Sequence, residues 1–185
     1  MKNKVKFLTT SLFLILLFLN PLVSAENYTF TYDKHGNLVD NKNIKYEYNT
    51  FNQLTKVFDN KNKLIEEYVY DPDGKRIKKV EYLQNNQKQT TYYIGQNLIR
   101  VINSSGTFDY VYIFDERGTL LARKDSNEKM FYYHPDNLGS TVLVTDETAK
   151  VVEDISYKSF GEKLAGQSDR FLYTGKEKDL SGLYY

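Results

Sequence analysis

Hydrophobic and polar residues alternate along most of this chain with a period of two, the pattern of strands whose successive side chains face opposite sides of a sheet. Tyr28-Thr29-Phe30-Thr31-Tyr32 alternates, breaks at Asp33-Lys34-His35-Gly36-Asn37 and resumes at Leu38. The same frame returns in Tyr46-Glu47-Tyr48-Asn49-Thr50-Phe51-Asn52-Gln53-Leu54, in Phe58-Asp59-Asn60-Lys61-Asn62-Lys63-Leu64, and in Tyr112-Ile113-Phe114-Asp115-Glu116-Arg117-Gly118-Thr119-Leu120. Its clearest copy is Tyr68-Val69-Tyr70-Asp71-Pro72-Asp73-Gly74-Lys75-Arg76-Ile77. There the Asp71 side chain can accept turn amides, Pro72 presets φ, and Gly74 takes the left-handed position that closes a hairpin with a bulge. Alternation places Tyr68 and Tyr70 on one face of the strand and Val69 on the other.

Each unit therefore predicts one β-hairpin. The units start about 10 to 20 residues apart, which leaves no room for a helix between strands. A lone hairpin is marginal in water, so the copies are expected to stack edge to edge. The expected fold is all-β, a hairpin array forming a curved or spiralling antiparallel sheet, a partial shell with its aromatic face buried.

The N-terminus departs from this period. Lys2, Lys4 and Lys6 precede an apolar run from Phe7 to Leu19, then Pro21 and Val23-Ser24-Ala25. A basic start, an apolar stretch and small residues read as a signal peptide, residues 1–25, cleaved after Ala25. A retained anchor is the alternative, because Phe7 to Val23 is 17 residues, near the lower limit for crossing a bilayer.

The 17 Tyr and 11 Phe suit strands, while 3 Pro and 10 Gly are too few for a low-complexity linker. The whole chain carries 25 basic and 24 acidic residues. Without the three leader lysines, 22 basic residues face 24 acidic ones, a net charge of −2 that gives no electrostatic footing for nucleic acid. With no Cys, an exported chain has neither disulfides nor thiolate metal sites, so packing and sheet hydrogen bonds must hold it.

The Tyr-Asp units resemble the YD repeats of Rhs proteins. Tyr132-Tyr133-His134-Pro135-Asp136-Asn137-Leu138-Gly139-Ser140-Thr141 is similar to the start of the Rhs repeat-associated core. The likeness continues through Val144-Thr145-Asp146-Glu147-Thr148 and Tyr157-Lys158-Ser159-Phe160-Gly161-Glu162, then through Phe171-Leu172-Tyr173-Thr174-Gly175-Lys176-Glu177-Lys178-Asp179-Leu180-Ser181-Gly182-Leu183-Tyr184-Tyr185. The resemblance implies YD repeats over 26–125 and a truncated core over 126–185. It also implies a spiralling sheet that in relatives encloses a C-terminal toxin. Family cores usually run past Leu-Tyr-Tyr into an Asp-Pro segment where some members cleave themselves. The sequence in hand stops at Tyr185, so neither cleavage nor toxin activity is carried onto a residue here.

The candidate chemistry is sparse. His35 sits in a repeat turn and His134 beside Pro135, neither with metal-ligand spacing to a second His, so a turn hydrogen bond is the expected role of His134. Asp71 and Asp73 match a turn as well as a calcium or acid-base pair, and Asp136 and Asp146 also read as turn residues. Asn27-Tyr28-Thr29 and Asn103-Ser104-Ser105 match glycosylation sequons. No catalytic, cofactor-binding or metal-ligating residue is assigned. The leading reading is an exported, non-enzymatic structural or interaction module, part of a β shell or of a surface or toxin-delivery scaffold. Its partners would be other Rhs/YD-repeat polypeptides, or a separately encoded toxin or immunity protein. No membrane span is expected after the leader. The alternative is a glycan-binding surface using Tyr faces, and a third reading is a self-cleaving protease fragment.

Overall fold

The computed structural model describes residues 29–166 and 170–185. The leader and its cleavage point lie outside the described residues, as do Asn27 and Tyr28 of the first sequon.

The strands are β1 (Thr31–Tyr32), β2 (Leu38–Asp40), β3 (Ile44–Tyr48), β4 (Leu54–Asp59), β5 (Leu64–Tyr70), β6 (Arg76–Tyr82), β7 (Lys88–Ile94), β8 (Leu98–Asn103), β9 (Gly106–Phe114), β10 (Leu120–Lys124), β11 (Met130–Pro135), β12 (Thr141–Asp146) and β13 (Val151–Asp154). They form one 13-stranded sheet in sequence order, every neighbouring pair antiparallel. β14 (Ser156–Tyr157) and β15 (Lys163–Ala165) pair separately. The sheet is open, with β1 and β13 at its two edges, and it crosses position 125 without a break. The expected all-β hairpin array is what the chain forms.

One local device makes eight of the connections within the 13-stranded sheet. In the turn from Asp33 to Asn37, the Gly36 N–H donates to Asp33 O at 3.1 Å and the Asp33 N–H to Asn37 O at 2.9 Å. This is a type I turn closed by a left-handed residue and a bulge. Asp33 Oδ1 accepts the N–H groups of His35 and Asn37 at 2.8 and 2.9 Å. The same backbone pair recurs in turns headed by Asn49, Asp59, Asp71, Asp115, Asp125, Asp136 and Asp146. The left-handed slot holds Gly or Asn in six of these turns, Glu128 (φ 65°) in the seventh and Ala149 (φ 63°) in the eighth. A Cβ in that conformation costs about 1–2 kcal/mol. Part of any gain from glycine is returned through the freer unfolded chain. Ala149→Gly is therefore expected to stabilise the fold by about 0.5–1 kcal/mol. A rise of about 1–4 °C in thermal midpoint checks it, and a fall would mean that Ala149 is not strained.

Strand alternation divides the sheet into two faces. Tyr68, Lys79, Thr91 and Val101 stand opposite one another across β5 to β8 and are all buried, whereas Val69 on the other face is exposed. Two apolar clusters occupy the inner face. One is centred on Ile99, Val101, Tyr112, Leu120, Tyr133 and Val144, the other on Tyr46, Val57 and Tyr68. Between them β5 and β6 also carry charged residues at inner positions: Glu66, Arg76, Lys79 and Glu81 are all buried.

Candidate functional site

Those charges are met by the C-terminal segment 170–185. It folds with the same turn grammar as the sheet, in turns Leu172 to Lys176 and Asp179 to Leu183 with Gly175 and Gly182 left-handed. Isolated bridges Phe171 to Glu177 and Lys178 to Tyr184 fold it into two small hairpins. Alternation over Glu177-Lys178-Asp179 turns both carboxylates to one side, toward β6.

The segment is anchored at three places. At one end, Leu172 is buried and Phe171 meets Tyr112 edge-on at 4.9 Å between ring centroids, while the Thr141 N–H donates to Leu172 O at 3.1 Å. At the other, Leu183 packs on the Tyr46–Val57–Tyr68 cluster. The Tyr185 hydroxyl there accepts the Arg76 backbone N–H at 2.8 Å. In the middle sits a buried ionic cluster. Glu177 accepts hydrogen bonds from Arg76 Nη2 and Lys79 Nζ, both at 2.9 Å, from the Tyr93 hydroxyl at 2.7 Å and from Arg170 Nη1 at 2.5 Å. Asp179 accepts from Arg76 Nη1 at 2.6 Å and Lys79 Nζ at 2.9 Å. The guanidinium of Arg76 also lies 4.0 Å from the Tyr185 ring centroid. Beside this cluster, Glu66 accepts the N–H groups of Leu180 and Ser181 at 2.8 and 2.9 Å, capping the second turn.

The electrostatics follow from these contacts. Burial pushes the Glu177 carboxyl up, but Arg170, Lys79 and Arg76 outweigh it and hold it down at about 2. Burial opposes the charge on Lys79 too, yet Glu177, Asp179 and Glu81 raise it above the usual lysine value. Glu66 is shifted the other way: burial, and then the Asp179 charge, raise it against the hydrogen bonds from Ser181. A depressed carboxyl stabilises the fold above the unfolded glutamate value and loses that contribution as pH falls through its folded value. Acidification from about 4.5 to about 2 is therefore expected to remove the Glu177 contribution. Denaturant midpoints across that window check this, with Glu177→Gln expected to flatten the fall. An unchanged slope in the variant would rule out Glu177 as its source.

The residues singled out by sequence sit elsewhere. His35 is exposed in the first turn. His134 bonds Thr145 Oγ1 through Nε2 at 3.1 Å, across strands β11 and β12 and not within a turn as expected, because Pro135 ends β11 one residue later. Asp71, Asp136 and Asp146 head turns, their Oδ1 atoms accepting the N–H groups of Lys75, Ser140 and Lys150. Asp73 is exposed at a turn tip. Asn103 is half-buried at the β8–β9 turn, where its Oδ1 accepts the Ser105 N–H at 2.9 Å. Tyr46, Tyr68, Tyr112 and Tyr133 are buried, and Tyr92 and Tyr132 remain on the outer face. Among the described residues no helix is long and apolar enough to cross a membrane. The residues of this cluster that repeat reasoning passes over are Glu66, Arg76, Lys79, Glu177 and Asp179. Their signal in the sequence is charge at strand positions that alternation assigns to the aromatic face.

Similar proteins give this arrangement a context. The chain is 27% identical over 178 residues to the tRNA nuclease WapA of Bacillus subtilis strain 168, covering 90% of this chain and 7% of that protein. It is 25% identical over 205 residues to double-stranded DNA deaminase toxin A of Burkholderia cenocepacia, covering 90% of this chain and 14% of that one. The chain thus spans a small fraction of the curated relatives it matches. Among solved structures, the Photorhabdus luminescens Tc holotoxin pore superposes with a TM-score of 0.72 at 22% identity, over 83% of this chain and 8% of that one. The TcdB2–TccC3 complex gives 0.71 at 22% identity, over 83% and 9%. The family model for the teneurin YD-shell matches residues 8–175, and with the repeated Tyr-Asp hairpins and the open sheet it shows that this chain belongs to the YD-shell, or Rhs/YD-repeat, family.

Proposed function

We propose that the chain is a non-catalytic wall segment of a YD-repeat shell, exported and extended at its sheet edges by further YD repeats, within a toxin-delivery or cell-surface scaffold. The observation that carries this reading is the open 13-stranded sheet whose inner face is covered at β5 to β7 by the chain's own C-terminal segment. Sealing the inner face protects the core, while β1 and β13 keep unpaired backbone groups that template another strand. β13 suits this role, since Val151 and Val152 are exposed on it. The relatives named as nucleases and a deaminase toxin support a toxin-associated setting. The partner is then another YD-repeat chain, or a toxin or immunity protein encoded separately.

Size-exclusion chromatography with light scattering, on the full chain alone and mixed with a YD-repeat polypeptide, tests the proposal. The expected result is a stoichiometric complex that is lost in Val152→Lys, because Val152 is exposed on the edge strand and a lysine there opposes pairing with another strand. A complex indifferent to that substitution, or none, would overturn edge addition.

A further inference from the structure

Of the three cations in the buried cluster, Arg76, Lys79 and Arg170, only Lys79 carries a primary amine. Its Nζ lies 2.9 Å from Asp179 Oδ1, 2.9 Å from Glu177 Oε1 and 3.5 Å from Glu81 Oε1. The side chains of Lys79, Glu177 and Asp179 are each 3% exposed. The two oxygens of Asp179 are divided: Oδ1 faces the amine and Oδ2 is held by Arg76 Nη1 at 2.6 Å. An amine, a carboxyl carbon one bond from its hydrogen-bonded oxygen, a neighbouring carboxylate and a guanidinium on the other oxygen are thus fixed together away from water. Amine and carboxyl are held in the proximity that an acyl transfer requires.

We propose that Lys79 and Asp179 condense into an intramolecular isopeptide bond that ties the C-terminal segment to β6, with Glu177 relaying the protons. The Lys79 ammonium gives a proton to Glu177, and the neutral Nζ attacks Asp179 Cγ. Arg76 stabilises the charge that builds on Oδ2, which becomes the amide oxygen. Glu177 returns its proton to Oδ1, a second Nζ proton follows, the Cγ–Oδ1 bond breaks and one water leaves. An ammonium and a carboxylate become an amide and a water, so nothing is oxidised or reduced and no net proton is taken up.

The charge around the site favours the product. Arg76, Lys79 and Arg170 stand against Glu81, Glu177 and Asp179, and condensation removes one charge of each sign, leaving the cluster balanced with fewer buried ions. The same ion pairs oppose the first proton transfer, since they hold Glu177 charged and Lys79 protonated, and Tyr93 and Arg76 face Glu177 as well. The reaction is therefore a slow maturation that occurs once per chain. It would give a chain without Cys a covalent closure between positions 79 and 179 that disulfides cannot provide.

Intact mass spectrometry of the full chain, aged at neutral pH and compared with the mass implied by its measured N-terminus, reads the outcome directly. The expected result is a species one water lighter, which on proteolysis yields a branched peptide joining Lys79 to Asp179. Lys79→Arg keeps the positive charge but lacks the amine, so it is expected to retain the full mass, as is Asp179→Ala. Glu177→Gln is expected to slow the loss. A succinimide at Asp179 would also lose a water, but it would persist in Lys79→Arg and give no branched peptide, and that pattern overturns the proposal. A branch through Glu177 would overturn the choice of Asp179. Full mass in the aged wild-type chain would overturn the bond altogether, whatever the variants do.

Discussion

Glu177→Ala is expected to destabilise the chain by about 3–5 kcal/mol, the range for breaking a buried ion pair from one side. Glu177 is where Arg76, Lys79, Arg170 and Tyr93 converge. Without it, three cations are left against Asp179 and Glu81 in a site where Arg76, Lys79 and Asp179 are almost fully buried. The cost comes from stranding those charges more than from losing attraction, so replacing the whole cluster with apolar side chains of matching volume would cost far less. Lys158→Ala supplies the contrast. Its partner Glu162 lies 2.9 Å away, but the two side chains are 53% and 68% exposed. Solvent already screens that pair, and its loss is expected to cost at most about 1 kcal/mol. Denaturant titrations of both variants at neutral pH decide the matter. Similar midpoints for the two would mean that water reaches Glu177 and that the segment does not seal the inner face.

The repeat was legible because its turn is a local structure. An Asp whose side chain binds amides of its own turn, and a Gly or Asn in the left-handed slot, lie within five consecutive residues, so Asp33-Lys34-His35-Gly36-Asn37 and Asp71-Pro72-Asp73-Gly74-Lys75 announce their hairpins. Where the slot is filled by an ordinary residue the signal weakens. The turn at Asp125 follows Lys124, not an aromatic, and places Glu128 at φ 65°, so composition there hides a hairpin that the backbone makes all the same. Strand faces were legible for the same reason, as Tyr68 and Val69 show.

The buried cluster was harder to see, because its partners are separated by about 100 residues of chain. Read alone, Arg76-Ile77-Lys78-Lys79 resembles a solvated basic strand. Only the register of β5, β6 and β7 sets Lys79 between Tyr68 and Thr91, on the buried face. The Glu177-Lys178-Asp179 stretch likewise reads as surface until the segment is folded back. Charge at inward strand positions is the trace that remains in the sequence, and it acquires meaning only when two such runs of opposite sign are matched.

Tyr112→Ala is expected to cost about 3–5 kcal/mol, as for other large aromatic side chains removed from a core. The residue is 1% exposed, and its ring touches both the sheet core and the C-terminal segment through Phe171. Its backbone is pinned independently: its N–H donates to Asn97 O and its carbonyl accepts from Asn97 Nδ2, both at 2.8 Å. The alanine variant should therefore keep its strand register and lose mainly packing. Combining it with Phe171→Ala separates the two roles of the ring. An edge-on pair is expected to give a coupling energy of about 0.5–1.5 kcal/mol in the double-mutant cycle. If the segment folds as one unit with the sheet, both single variants should unfold in one transition with the wild-type denaturant slope. A coupling near zero, or an early separate transition in Phe171→Ala, would mean that the segment peels from the sheet before the strands unfold. The inner face would then be open to a partner in place of being sealed by its own chain.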